Sequence, residues 1–345
     1  MRNSSKLSCD SGAGVAIVIR VSQLLLSALG LLIFTGQPTC TGQSRSSDQQ
    51  LFQAVAKGDM GAVRVLLDNG AGIEAHGERG DTPLIVAIGS HNIAMVKLLL
   101  EKGADISARN NYEETALIEA ARSFDPEMLR ILLTRNPDIK DKNAALIEAT
   151  CNAPAVVHML DTPAAPSEHN EKAPTAVPEP PWVAKVRLLL DGGANIEARD
   201  EEGATPLMLA ASHGQTETFM LLIERGAKIN VRDKRGITPL IAAACACAAA
   251  TMNSTYDIMK ILLEEGADVN ATTRDGTTAL MMAAGSPDDP ASVKLLLSKG
   301  ADPMAKNNQG KTALTFAKGD PFPEKVRLLR RAMVKAPGAS SGVLP

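Results

Sequence analysis

The sequence predicts an all-α solenoid of about eight helix-turn-helix units joined by hairpin-like fingers. Two observations predict it: a glycine-alanine marker follows each leucine-rich segment, and a threonine-led marker stands upstream of each. The step from Gly103 to Thr115 is 12 residues and the step from Thr82 to Gly103 is 21, so the regular period is 33. Tandem units of this length stack because each one packs only on its neighbours.

The two markers recur along most of the chain. The threonine-led marker is Thr-Pro-Leu or a close variant, and its copies begin at Thr82, Thr115, Ala144, Thr205, Thr238, Thr278 and Thr312. The second marker is Gly-Ala followed by Asp, Asn or Lys, and its full copies begin at Gly103, Gly193, Gly226, Gly266 and Gly300. Gly70-Ala71 and Asn136-Pro137-Asp138 are variants of the second marker.

One unit can be derived from its residue types. Thr82 is expected to cap a short first helix with its hydroxyl, and Pro83 suits the first helical position because no N–H is needed there. A second helix carries the leucines up to Leu100, and Gly103 ends it in the left-handed conformation. Asn tolerates that conformation, so Asn136 can replace glycine at the equivalent position. The segment up to Glu114 then returns as a projecting finger.

The 33-residue period with Thr-Pro-Leu and Gly-Ala-Asp markers resembles the ankyrin repeat, from Asp48 to about Lys335. The resemblance implies a non-catalytic scaffold that binds another protein through its concave face and finger loops. The family usually has His after Thr-Pro-Leu. An apolar residue or Thr fills that position here, so the hydrogen-bond network of that His is not expected, at Ile85, Ile118, Ile147, Met208, Ile241, Met281 and Thr315.

The end units depart from the pattern. Gln49-Gln50-Leu51 replaces Thr-Pro-Leu in the first unit, and the arginine-rich segment 326–331 replaces the leucine-rich second helix in the last. Polar caps of this kind are what the open ends of a stack require.

Three irregularities interrupt the period. A step shortened by four residues predicts a shorter finger around Lys140-Asp141-Lys142, and an insertion near 152–181 with seven prolines predicts an extended loop. An excess of seven residues near 245–254 is expected to lengthen the first helix across Ala242–Met252. Both insertions fall between the two helices of a unit and should emerge on the edge opposite the fingers. A second contact surface and tolerated surface variation both remain open there.

The N-terminus is expected to be a targeting segment. Basic residues at 2, 6 and 20 precede an apolar run over residues 21–34, which is typical of a signal peptide cleaved before Gln43. Residues 1–42 are therefore predicted to be a signal peptide or a membrane anchor, residues 43–47 a short linker and residues 336–345 a disordered tail. We expect export to a periplasmic or extracellular compartment. The alternative is an anchor through residues 15–34, although Arg20 is costly in a bilayer.

Composition and motifs disfavour several functions. A net charge of -3 and 3% aromatic residues disfavour nucleic-acid binding. The five histidines lack metal-ligand spacing, Cys245-Ala246-Cys247 lacks the two-residue spacing of a redox or zinc pair, and no phosphate-binding loop occurs. We expect a monomer with no catalytic residue, cofactor or metal.

Charged finger tips are the candidate contact residues for a partner protein. An acidic tip stands beside a basic one, and solvation of the scaffold is the alternative explanation for both. The predicted contact residues are Arg199, Asp200, Glu201, Glu202, Arg232, Asp233, Lys234, Arg235, Arg274 and Asp275.

Overall fold

The computed structural model describes residues 42–77, 79–123, 125–152, 179–245, 252–286, 290–317 and 323–335. The chain divides into two compact units, Met1–Arg45 and Ser46–Pro345, and the second holds nearly all of the described residues. The predicted N-terminal targeting segment lies outside these ranges, apart from Gly42. Most of both insertions and the tail of residues 336–345 also lie outside them.

Sixteen helices lie in the described ranges and form eight consecutive pairs, which we number as units 1 to 8. In chain order the helices are α1 (Gly42–Lys57), α2 (Met60–Asp68), α3 (Pro83–Gly89), α4 (Ile93–Glu101), α5 (Ala116–Arg122), α6 (Pro126–Leu133), α7 (Ile139–Cys151), α8 (Pro181–Asp191), α9 (Pro206–Ser212), α10 (Thr216–Glu224), α11 (Pro239–Ala244), α12 (Met252–Glu264), α13 (Ala279–Gly285), α14 (Ala291–Ser298), α15 (Ala313–Phe316) and α16 (Pro323–Lys335).

The pairs stack in two parallel series. The first helices α3, α5, α7, α9, α11, α13 and α15 pack one on the next, and the second helices from α6 to α16 do the same. Each helix pair shares its buried side with both neighbours, so one apolar core runs from Leu51 in unit 1 to Leu329 in unit 8. This arrangement confirms the predicted all-α repeat stack.

The threonine caps form as predicted in four units. The hydroxyls of Thr82, Thr205, Thr238 and Thr278 each accept the backbone N–H three residues later, at 3.3 to 3.4 Å. Thr115 differs, because it makes no such bond and its buried hydroxyl has no hydrogen-bond partner. The apolar residues that replace the family's His are buried, as Ile241 and Met281 illustrate, except for the half-buried Ile147.

Fingers connect the units without regular strands in the described ranges, where a single isolated bridge joins Thr272 and Thr278. Each finger closes by a five-residue turn in which the first N–H donates to the fifth carbonyl at 2.9 to 3.1 Å. The turns are residues 77–81, 110–114, 200–204, 233–237, 273–277 and 307–311. We refer to these six turns together as the finger row.

Unit 4 corrects one prediction. The residues around Lys140-Asp141-Lys142 do not form a shortened finger, because α7 begins at Ile139 and includes them. Asp138 caps this helix by accepting the N–H of Lys140 at 3.1 Å. Deleting four residues therefore replaced the finger with an extra helical turn.

Two further boundaries differ from the sequence expectations. In unit 6 the first helix ends at Ala244 with Cys245 as its cap residue, so it is not lengthened across Ala242–Met252. The second helix begins at Met252 and is 13 residues long. Residues 43–47, expected to be a linker, are part of α1.

Side-chain amides and carboxylates form a ladder between successive units. Asn230 accepts the N–H of Asp268 at 3.0 Å, and Asn270, the equivalent residue one unit later, accepts the N–H of Asp302 at 2.9 Å. Glu74 and Glu197 accept the corresponding N–H at 2.7 and 2.8 Å. The ladder fixes the spacing of units with groups that recur in the sequence.

Candidate protein-binding surface

Each first helix has one side that its neighbours leave uncovered. Its own second helix and the first helices of adjacent units bury the other sides, so exposure returns at the fourth and seventh residues after the start of the marker, except at the buried Ala242. We name this side the first-helix face. Its fourth-position residues are Val86, Glu119, Glu148, Leu209, Ala242, Met282 and Phe316, and its seventh-position residues include Gly89, Arg122, Cys151, Ser212, Cys245 and Gly285.

In units 3 and 4 the first-helix face is charged. Arg122 contacts Glu114 at 2.8 Å, Glu119 at 3.3 Å and Glu148 at 2.6 Å, and all four side chains are at most 29% exposed. Burial opposes the charge of Arg122, but hydrogen bonds and charges from Glu114 and Glu148 outweigh it and raise the pKa of the guanidinium. The three carboxylates thus share one permanently charged partner.

Cys151 ends α7 beside this cluster. Burial, followed by the negative charges of Glu148 and Asp200, raises the pKa of the Cys151 thiol to about 12. The thiol is therefore protonated at neutral pH, which is the opposite of what a nucleophilic cysteine requires.

In units 5 to 8 the fourth-position residues are apolar. Leu209, Met282 and Phe316 are half-buried, and the smaller Ala242 lies in the column between Leu209 and Met282. A Cβ at Gly285 would lie 3.4 Å from the ring of Phe316, so this glycine leaves room for the aromatic side chain. The fourth positions consequently form an apolar strip that is partly exposed in units 5, 7 and 8 and buried at Ala242 in unit 6.

Backbone hydrogen bonds join neighbouring fingers alongside this strip. The N–H of Lys234 donates to Glu202 O at 3.0 Å, and the N–H of Arg274 donates to Arg235 O at 2.8 Å. One unit later, the N–H of Asn308 donates to Asp275 O at 2.9 Å. The fingers of units 5 to 8 therefore form one hydrogen-bonded edge.

Two of the predicted contact residues, Arg199 and Arg232, hold this edge together. Arg199 donates through Nη1 to Gly203 O in its own finger at 2.6 Å and to Arg232 O in the next at 2.9 Å. Arg232 repeats the pattern with Gly236 O and Thr272 O. Lys234 likewise donates through Nζ to Glu201 O at 2.5 Å.

The three predicted aspartates stabilise the finger turns themselves. Asp200 accepts the N–H of Ala204 at 2.7 Å, and Asp233 accepts the N–H groups of Arg235 and Ile237 at 2.9 and 2.7 Å. Asp275 accepts the hydroxyls of Thr273 and Thr277, and the bond from Thr273 contributes most to lowering the pKa of Asp275.

The structure brings all ten predicted residues together on three adjacent fingers. Six of them have roles inside the finger row, whereas Glu201, Glu202, Arg235 and Arg274 expose their side chains to solvent. The contact of these ten residues with a partner protein stays a prediction.

Unit 4 leaves a gap in the finger row. The finger of unit 3 is followed by the first turn of α7, where Arg109 contacts the buried carboxylate of Asp141 at 2.6 Å. The charged part of the first-helix face lies beside this gap. Sequence reasoning missed Glu119, Arg122 and Glu148. Their positions after the unit markers place them on one face, but the contact between units 3 and 4 does not follow from spacing within one unit.

Two negative findings concern the described ranges. In them, no group of three or more His, Cys, Asp or Glu side chains is placed to hold a metal ion. Among the helices found there, none is both long enough and apolar enough to cross a bilayer.

Comparison with known proteins agrees with the geometry. A family model described as ankyrin repeats, three copies long, matches residues 44–160, 183–250 and 246–335. A search of curated proteins finds no match. Because the family model covers most of the chain and the paired helices and fingers follow its period, this chain belongs to the ankyrin repeat family.

Proposed function

We propose that this chain is an exported, non-catalytic scaffold that binds another protein through the first-helix face and the finger row. Ankyrin repeats are generally protein–protein interaction modules. The observation that carries the proposal is the apolar strip of Leu209, Met282 and Phe316, which stays partly exposed beside a rigid, hydrogen-bonded finger edge. A partly exposed apolar strip rimmed by polar groups is typical of a protein interaction site.

The rigidity of the fingers supports recognition by side-chain substitution. Arg199 and Arg232 fix the finger backbones, so exposed tip residues such as Glu201 and Arg235 can vary without rebuilding the scaffold. Binding to preorganised loops also avoids the entropy lost when flexible loops become ordered.

Export rests on the sequence pattern of residues 1–42, which has the charged start and apolar run of a signal peptide. A membrane-tethered adaptor is the second candidate, favoured by the 20-residue window of residues 15–34. The mass of the mature N-terminus separates them: export predicts a chain that begins near Gln43, and a tether predicts retention of residues 15–34.

An enzyme is the third reading. Neither Cys151 nor Lys185 is placed as a free nucleophile in the part of the chain that the structure describes. The Cys151 thiol is protonated, and the ammonium of Lys185 is 3% exposed and donates to the carbonyls of Ala121 and Ser123 at 2.6 and 2.9 Å.

Affinity capture in the native compartment tests the binding proposal. The full chain is compared with Met282→Glu on the first-helix face and with Met220→Glu, a matched control on α10 where Met220 is 43% exposed. We expect Met282→Glu to abolish capture of the partner and Met220→Glu to retain it, with both variants folded by circular dichroism. Loss of partner capture with Met220→Glu alone would contradict the proposal. In a variant that lacks residues 153–178, unchanged capture would exclude the insertion as a contact.

A further inference from the structure

The first-helix face changes character along the stack. Its fourth-position residues are Glu119 and Glu148 in units 3 and 4, whereas Leu209, Met282 and Phe316 occupy that position in units 5, 7 and 8. Because these residues occupy equivalent positions, the charged and apolar parts follow one another on the same side of the stack.

The charged part carries more negative than positive charge. Three carboxylates, those of Glu114, Glu119 and Glu148, surround the guanidinium of Arg122. The ammonium of Lys185 also interacts with Glu148, which leaves an excess of one negative charge. Glu148 also accepts the side-chain amide of Asn152 at 2.6 Å. Partly buried charges in a low-dielectric setting attract an added cation more strongly than fully solvated ones do.

The charges of the exposed finger residues divide the stack in the same way. Glu113, with an 86% exposed carboxylate, stands on the finger before the gap, and Glu201 and Glu202 are exposed on the finger after it. The next two fingers expose Arg235 and Arg274. Fingers and first helices therefore agree that units 3 and 4, with the finger that follows them, form an acidic end, and that apolar and basic groups lie beyond it.

Building on the proposed binding function, we infer that the partner presents an extended segment with a cluster of Lys or Arg residues at one end, seated over units 3 and 4, and large apolar side chains along the rest, seated over units 5 to 8. The cationic end neutralises the excess carboxylate charge, and the apolar side chains bury the strip formed by Leu209, Met282 and Phe316. An acidic segment, or one with the order of charges reversed, would place like charges together at the acidic end.

The spacing of the units sets the length of this segment. Adjacent helices pack about 8 to 10 Å apart, so the four steps from unit 4 to unit 8 span about 32 to 40 Å. An extended chain covers this distance with about 10 to 12 residues. A single short segment can therefore reach both the acidic end and the apolar strip.

Selection from a displayed library of random 12-residue peptides, with the full chain as target, tests this inference. We expect enriched peptides to carry two or more Lys or Arg residues at one end and at least two large apolar residues in the remainder. One enriched peptide, synthesised with a fluorescent label, should bind about tenfold more weakly to the Glu119→Gln/Glu148→Gln double variant. Glutamine keeps a hydrogen-bond acceptor for Arg122, which favours folding of the variant.

The matched control is the double variant Glu217→Gln/Glu264→Gln, which removes two exposed carboxylates from second helices. It should leave the affinity unchanged. A measurement on the unsubstituted chain does not depend on variant folding: raising NaCl from 0.05 to 0.5 M should weaken peptide binding, because the basic end binds through charge.

The outcomes separate this inference from the proposed function. Peptides whose binding is lost with Met282→Glu but that show no basic end would overturn the inference and leave first-helix-face binding intact. Peptides that bind the control and the Glu119→Gln/Glu148→Gln variant equally would overturn it as well. Three results would overturn both the inference and the proposed function. They are peptide binding that is unaffected by Met282→Glu, a selection that enriches no peptide, and a second copy of the chain as the only occupant of the face.

Discussion

Two regions of the stack join their units by different interactions. In units 5 to 8 the fingers are joined by backbone hydrogen bonds such as that from Arg274 N to Arg235 O at 2.8 Å. At the junction of units 3 and 4 the finger is missing, and charged side chains connect the units through Arg109–Asp141 at 2.6 Å and Arg122–Glu148 at 2.6 Å. The fold is the same in both regions, but only the second should respond strongly to pH, salt and single charge substitutions.

A buried lysine from a second helix also joins units 3 and 4, and Lys325 makes the equivalent contact between units 8 and 7 by donating to Ser286 O. In units 3 and 4, Lys185 reaches from α8 of unit 4 to the carbonyls of Ala121 and Ser123 at the end of α5 in unit 3. Ser123 has an extended conformation, with φ −61° and ψ 150°, in contrast to the nearly helical cap residue Ser90 that ends α3. A buried ammonium from the next unit therefore supplies hydrogen bonds at this helix end.

The largest effect on stability is expected for Arg122→Met. The substitution leaves three carboxylates without their shared guanidinium, so we predict a loss of about 3 kcal/mol in the free energy of unfolding. The control is Arg225→Met, which removes the more exposed Arg225–Asp191 pair and should lose at most about 1 kcal/mol. Urea unfolding measures both, and equal losses would show that the charged junction has no special role.

A pH dependence is expected from Lys185. Burial lowers the pKa of Lys185 from 10.5 to about 8. Between these values the unfolded chain binds more protons than the folded chain, so stability rises with pH, and this contribution is lost as the pH falls through 8.

The Lys185→Met variant isolates this effect. From pH 7 to pH 9.5, the stability of the unsubstituted chain relative to the variant should rise by about 2 kcal/mol. Unfolding in urea at several pH values provides the measurement. A constant difference across this range would mean that Lys185 has the same pKa in both states.

A comparable effect is expected from alanine at Gly236, in the backbone-joined region. Gly236 has φ +82°, and an added Cβ would lie 2.9 Å from the backbone N of Arg274 in the next finger. We predict that Gly236→Ala destabilises the chain by about 2 kcal/mol, from left-handed strain and the displaced finger.

Gly266→Ala is the matched control, since Gly266 has φ +87° but nothing within 4 Å of an added Cβ. Its loss should be about 1 kcal/mol, from conformational strain alone. Thermal unfolding compares the two, and equal shifts would argue against close contact between the fingers.

Recurrence in the sequence explains which features were predictable. Residues that return every 33 positions build the scaffold, so the threonine caps, the left-handed Gly103 and Asn136, and the helix pairs were accessible. The recurrence also indicated a second role for two of the predicted contact residues. Arg199 and Arg232 are 33 residues apart and make the same finger contacts, so their repetition signalled a scaffold role beside the predicted partner contact.

The junction of units 3 and 4 was less predictable because a four-residue deletion has two solutions. It can shorten a finger or extend the following helix, and both satisfy the spacing of the markers. The helix is favoured because Asp138 caps it by accepting the N–H of Lys140. The charged cluster of Glu119, Arg122 and Glu148 depends on contacts between units, which spacing within one unit does not reveal.

Native-state hydrogen exchange in low and high salt tests most directly whether the two regions are held by different forces. Amide exchange in α5 and α7 is compared with exchange in α9 and α13, at 0.05 M and 1 M NaCl. We predict that high salt accelerates exchange in α5 and α7 by about threefold or more relative to α9 and α13, because it screens the charged junction. An unchanged ratio between the two regions would contradict the account.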